Sequence, residues 1–191
     1  AVMGKSQAFV KEALDDIRDK LPFPMRGIDS DNGSEFINHH LVAYCEANQI
    51  KFTRSRPYKK DDNAHVEQKN WTHVRKLFGY LRYDSQEAVL KMNELYRADL
   101  RLFQNLFLPS VKLLAKKRVG SRLRRSYDAP KTPLDRLLDS PGRLSLRLTG
   151  LRALRDRLDP FVLSSRLDTK LRRIHALSNL RYNPRVRDKA S

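Results

Sequence analysis

Along the chain, apolar residues return every three or four positions in several stretches and alternate with polar ones in short runs between them. Val10, Leu14, Ile17 and Leu21 share one side of a helix predicted over residues 6–21, with Ser6 as N-cap and Asp15, Asp16 and Asp19 facing outward. Pro22-Phe23-Pro24 stops it. A short strand at about 25–31 runs into Asp31-Asn32-Gly33, a turn signal. Residues 36–48 are helically spaced through Phe36, Leu41, Tyr44 and Cys45, and residues 50–54 alternate as a strand. The polar stretch 55–63 contains a proline and no apolar pattern, so it reads as a loop. From 64 to 81, Val66, Val74, Leu77, Phe78 and Leu81 define a helix face with Glu67 at its border. A second long helix, rich in Leu, Met, Tyr and Phe, is predicted over 86–107 and ends near Pro109.

The order helix, strand, helix, strand, helix, helix implies an α/β sheet layered with helices. Two strands are few for such a sheet, and the expectation is that further strands lie upstream. Beyond Pro109 the pattern changes. Residues 112–133, KLLAKKRVGSRLRRSYDAPKTP, are basic and punctuated, and read as an extended or loosely folded connector. Two stripes follow: Leu151, Leu154 and Leu158 before Pro160, then Leu163, Leu167, Leu171 and Ile174. Both fit amphipathic helices with arginine on the polar face, whose leucines serve simple helix packing more readily than DNA reading. The domain reading is therefore 1–110 as one α/β portion and 111–191 as a basic connector with a helical tail.

Charge sharpens this division. The net charge is +17, yet residues 1–110 hold 17 Lys and Arg against 15 Asp and Glu, while residues 111–191 hold 22 against 7. A polyanion such as nucleic acid explains that excess, because each neutralised phosphate releases counterions; a solvated basic tail is the alternative. There is no run of eighteen apolar residues and few aromatic anchors in the basic part, so a membrane is not the expected partner. The single cysteine, Cys45, excludes an internal disulfide framework and a Cys-pair zinc site, and a cytoplasmic setting is expected. His39, His40, His65 and His73 lack zinc spacing with it, and no phosphate-binding glycine fingerprint supports ATP or a nicotinamide cofactor.

Candidate chemistry gathers in Ser-Asp-Asn-Gly-Ser-Glu-Phe (30–36) and Asn-Ala-His-Val-Glu-Gln-Lys-Asn (63–70). Phosphodiester chemistry by divalent ions needs carboxylates converging from different elements, since hard cations take oxygen ligands. Asp31 at a strand end and Glu67 in a helix's first turn, with 35 residues between them, meet that need. Alone, Asp31 also reads as a turn residue and Glu67 as an acid favoured by the helix dipole. Asp29, on Asp31's strand face, is a surface acid or an outer support to a metal, and Glu35 starts the next helix.

Joined together, SDNGxEF, the alternating strand, the Pro-containing loop and Asn-x-x-x-Glu on a helix resemble the second half of the DDE-type catalytic core of transposases and integrases. The D-x35-E spacing is that of bacterial insertion-sequence members of this superfamily. The likeness covers about residues 6–110, and YDAPKTPLDRLL (127–138) resembles a downstream part of the same transposases. The resemblance implies a ribonuclease-H-like fold, with Asp31 and Glu67 as catalytic ligands of Mg²⁺ (Mn²⁺ substituting). Asn63 would order the loop, or serve as an N-cap. The resemblance places the loop residues Arg54, Arg56, Lys59 and Lys60 beside the DNA ends, while Lys69, Arg75 and Lys76 on or beside the Glu67 helix read either as solvated side chains or as contacts to DNA phosphates. The family's first Asp lies upstream of the opening helix, so the resemblance implies a core truncated at its N-terminus and catalytically incomplete. The implied reaction is DNA end cleavage and strand transfer in transposition, in a nucleoid-associated homo-oligomer or with an upstream fragment of the same transposase. The alternative is a non-catalytic fragment that associates with DNA or with an intact transposase.

Overall fold

The structure, a computed structural model, describes residues 1–4, 6–31, 39–56, 60–140 and 146–179. The chain is mixed α/β, with two separate two-stranded sheets among the described residues. It divides into two compact units, Ala1–Asn93 with Leu171–Ser191, and Glu94–Lys170. Residue 110, where the composition changes, falls inside the second unit. No helix among the described residues is long and apolar enough to cross a membrane.

In the first unit, α1 (Gln7–Lys20) starts where the Ser6 hydroxyl accepts from the Phe9 amide, as a Ser N-cap should. Strands β1 (Gly27–Ser30) and β2 (Lys51–Arg54) flank α2 (His39–Ala47) and pair in parallel, Gly27 opposite Lys51 and Ser30 opposite Arg54. A right-handed helical crossover is the usual way to join parallel neighbours. Leu41, Cys45 and Ile50 form a buried cluster, with Leu14, Met25, Ile28, Tyr44 and Phe52 packed on it. The outward placement expected for Asp15 is corrected: it is half-buried and accepts a 2.7 Å hydrogen bond from the Tyr44 hydroxyl. That bond, then Lys11, draws the Asp15 carboxyl below its usual range, and burial pushes the Tyr44 phenol up to about 12. Ile17, expected on the buried stripe, is half exposed.

The helix expected over 64–81 is α3 (Ala64–Asn70), a π-helical turn (Trp71–Arg75) and α4 (Lys76–Phe78), ended by Gly79 at φ +66°. The wider π turn rotates later residues off the 3.6-residue stripe, so Phe78 is buried while Val74 and Leu81 stay exposed. Helix α5 (Gln86–Leu95) follows. The C-terminal stretch adds a bridge in this unit, the Asn179 amide donating to Arg82 O at 2.8 Å.

In the second unit, α5 continues through a π turn (Tyr96–Leu100) into α6 (Arg101–Leu106). Residues 112–133 are no loose connector. They hold an antiparallel hairpin, β3 (Leu113–Val119) and β4 (Arg122–Tyr127), and open α7 (Pro133–Leu138) with a Thr132–Asp135 capping box. Gly120 at φ +61° leads the two-residue turn, where a side chain would be strained. Helix α7 packs on α6 and on α8 (Leu146–Asp156), before α9 (Pro160–Ala176). Leu163 and Leu167 of the second predicted stripe are buried, as helix packing requires, but in the first stripe Leu154 is exposed and Leu151 and Leu158 are half-buried; the buried leucine of α8 is Leu148 instead.

The foot of the hairpin is tied by Asp128, which accepts from the Lys112 amide and from Arg136 at 2.5 Å, while Arg136 also donates to Ser110 O. Arg136, then the Lys112 amide, holds the Asp128 carboxyl at about 2, below its ordinary 3.8. A depressed carboxyl contributes stability above the unfolded value and loses it as pH falls through the folded one. The foot should therefore loosen between about pH 4 and pH 2. The measurement is the Asp128 carboxyl titration by NMR: Arg136→Gln should move its midpoint back toward 3.8, and an unmoved midpoint would exclude Arg136 as the cause.

Candidate active site

Parallel pairing decides what meets at the sheet's edge. Both strands end on the same side, so Asp31 leaves β1 where Ser55 and Arg56 leave β2. The Ser55 amide closes this edge by donating to Ser30 O at 3.0 Å, and both serines are buried. Arg56 then folds the chain back: its amide and its guanidinium both donate to the Asp62 carboxylate, at 2.8 to 3.1 Å. The Arg56 guanidinium holds Asp62 at about 2, and Asp62 in turn raises Arg56. A 3₁₀ turn (Lys60–Asn63) leads from this clasp into α3. Glu67 thus stands only about 8 Å further along the helical path from a residue pinned to the end of β2.

Asp31 is half-buried, and Glu67 is exposed in the first turn of α3, rather than at the edge of a buried face. Asp29 is exposed and accepts from Thr53 Oγ1 at 2.8 Å, a cross-strand pair on the sheet. Glu35 and Phe36 lie outside the described residues. Asn63 does not cap α3. Its backbone is already helical (φ −82°, ψ −9°), continuing the 3₁₀ turn, and its side chain makes no capping bond. Its Oδ1 is buried without a hydrogen-bond partner. Among the described residues, no three of His, Cys, Asp and Glu gather in a way that could hold a metal ion.

The cations expected at DNA behave differently from one another. Arg54, Lys69 and Lys76 are exposed. Arg56 is engaged by Asp62. Arg75 stacks on the Tyr80 ring at 4.7 Å and donates to Gly79 O. Lys60 opens the 3₁₀ turn, and Lys59 lies outside the described residues. Two features escaped the sequence reading. Asp62 looked like loop polarity because its role depends on Arg56. The π turn places Trp71, half exposed, four residues past Glu67.

No family model matches the chain. It is 42% identical over 135 residues to a Sinorhizobium fredii (strain NBRC 101917 / NGR234) protein described as uncharacterized protein y4rM. That alignment takes in 71% of this chain and 38% of the relative, so the chain spans well under half of that protein's length.

Proposed function

We propose that these residues are the downstream part of a ribonuclease-H-like, DDE-type catalytic core that cuts and joins DNA in transposition or integration. One observation carries the reading: the parallel β1–β2 pair delivers Asp31 and the loop into Glu67's helix to one sheet edge, at the D-x35-E spacing. The carboxylates of Asp31 and Glu67 and the unpartnered Asn63 Oδ1 are hard oxygen donors, so the donor types fit Mg²⁺ or Mn²⁺. Asp31 and Glu67 would hold the metal, with Asn63 Oδ1 available beside their loop. When bound, divalent metal activates the attacking hydroxyl or water and stabilises the leaving oxygen. The residues themselves do the rest. The Arg56–Asp62 clasp fixes where α3 begins, and exposed Arg54, Lys69 and Lys76 supply positive charge for phosphates.

On this reading Asp31 and Glu67 are two of the carboxylates that such a core uses. Mn²⁺ titration followed by electron paramagnetic resonance tests the pair without needing activity. Asp31→Asn and Glu67→Gln should each weaken binding roughly tenfold or more. Equal Mn²⁺ binding in the parent chain and both variants would remove the metal reading.

A second reading, DNA association without chemistry, is favoured by the uncompensated charge of the β3–β4 hairpin. It expects duplex binding that is indifferent to Mn²⁺ and to both carboxylate variants.

A further inference from the structure

The β3–β4 hairpin carries six cations, Lys116, Lys117, Arg118, Arg122, Arg124 and Arg125, and no acid. Every residue in both strands is exposed. Register sets Lys116 opposite Arg125 and Lys117 opposite Arg124, two adjacent cross-strand pairs of like charge. Such pairs destabilise a ladder, and a two-stranded ribbon is marginal to begin with. None of the six has an ion pair among the described residues. Five other cations of the same unit are paired, Lys131 with Asp139, Arg136 with Asp128, Arg155 with Asp135, and Arg166 and Lys170 with Asp99, whereas Arg101, Arg152 and Arg157 are not, among the described residues. Charge is compensated at the foot of the hairpin and left uncompensated along its length.

The distribution over the ribbon's two faces says what could compensate it. Side chains alternate along a strand, so Lys116, Arg118 and Arg125 share one face, and Lys117, Arg122 and Arg124 share the other. A flat anionic surface such as a membrane would meet one face and leave the other bare. Phosphates on both sides occur in the major groove of a nucleic-acid duplex, which is wide enough for a two-stranded ribbon. We infer that the hairpin is a duplex-binding arm that enters the major groove with one phosphate strand along each face. The capping box of α7 and the Asp128–Arg136 pair hold its foot. Phosphate neutralisation on both faces would also relieve the like-charge pairs, so bound duplex should firm the ribbon. This rests on the DNA-association part of the proposed function and is independent of its carboxylates.

The test is the salt dependence of duplex binding by the full chain, read by fluorescence anisotropy with a short duplex of random sequence. Each phosphate contact contributes about 0.9 to the slope of log affinity against log salt, so six contacts contribute about 5. One variant carries Lys116→Gln, Arg118→Gln and Arg125→Gln, and the other Lys117→Gln, Arg122→Gln and Arg124→Gln. Each should flatten the slope by roughly 3. Because each removes like-charge repulsion from exposed positions, neither should lower the thermal midpoint, which circular dichroism checks. A change confined to one triple would overturn groove entry in favour of one-faced docking. Stronger binding to phosphatidylserine vesicles than to duplex would overturn it in favour of a membrane. Duplex binding with both triples unchanged would remove the hairpin proposal while leaving DNA association intact. No duplex binding by the parent chain at low salt would remove both.

Discussion

Glu67→Gln, placed in a protein that joins these residues to a third carboxylate, is expected to lower end cleavage and strand transfer by about 10³-fold or more. The metal's contribution to phosphodiester chemistry is several kcal/mol, and each 1.4 kcal/mol is about tenfold. Glutamine keeps the length, the shape and an oxygen of the side chain, but it loses the negative charge that a hard divalent ion requires. Glu67 is exposed and in the first turn of α3, so the exchange removes no packing. The helix loses only a favourable dipole interaction, about 0.3–1 kcal/mol. Duplex affinity should hold or rise slightly, since a negative charge is removed. Glu46→Gln, another exposed acid on α2, is the control and should leave both steps unchanged. If affinity and activity fall in parallel, Glu67 serves DNA contact or folding. If neither falls, it has no part in the chemistry.

The first unit was the most legible from sequence because its elements have an inside and an outside. Ser6 began α1 as its hydroxyl chemistry predicts, and the alternation at 50–54 marked β2 against the buried Ile50. The hairpin was hidden for the opposite reason. Strands betray themselves by alternating apolar and polar residues, and a ribbon exposed on every residue has no buried face to create that rhythm. Its one local marker was Gly120-Ser121 between two basic runs, a two-residue turn signal. Helical period also failed across the Trp71–Arg75 and Tyr96–Leu100 turns, where π geometry changes which residues share a face. At the candidate site, the motif and its spacing singled out Asp31 and Glu67 as candidates. That β1 and β2 run parallel, and that Arg56 clasps Asp62, are long-range or paired facts that no single position encodes. Asp15 shows the same limit: its place at the edge of the core depends on Tyr44, twenty-nine residues away.

The double variant Arg166→Ala/Lys170→Ala should cost more stability than Asp99→Ala, although it changes only the more exposed partners. Asp99 is 1% exposed in the π turn that ends α5, with Arg166 at 2.8 Å and Lys170 at 2.7 Å, both on α9. Lys170 also pairs with Glu94 at 2.9 Å, and Asp99 first, then Glu94, raises its pKa. Deleting the acid leaves two cations with alternatives. Arg166 is more than half exposed, and Lys170 keeps Glu94, so the loss should be about 1–3 kcal/mol. Deleting both cations leaves a buried carboxylate with no opposite charge, a loss of about 3–5 kcal/mol. The ordering follows from desolvation: an unpaired charge is tolerable where water reaches it and costly where water does not. Urea unfolding followed by far-ultraviolet circular dichroism measures both changes, and the triple variant Asp99→Leu/Arg166→Ala/Lys170→Met should recover part of the loss by removing the buried charge altogether. A larger loss for Asp99→Ala than for the double variant would mean that Asp99 holds the turn through contacts other than its two cations.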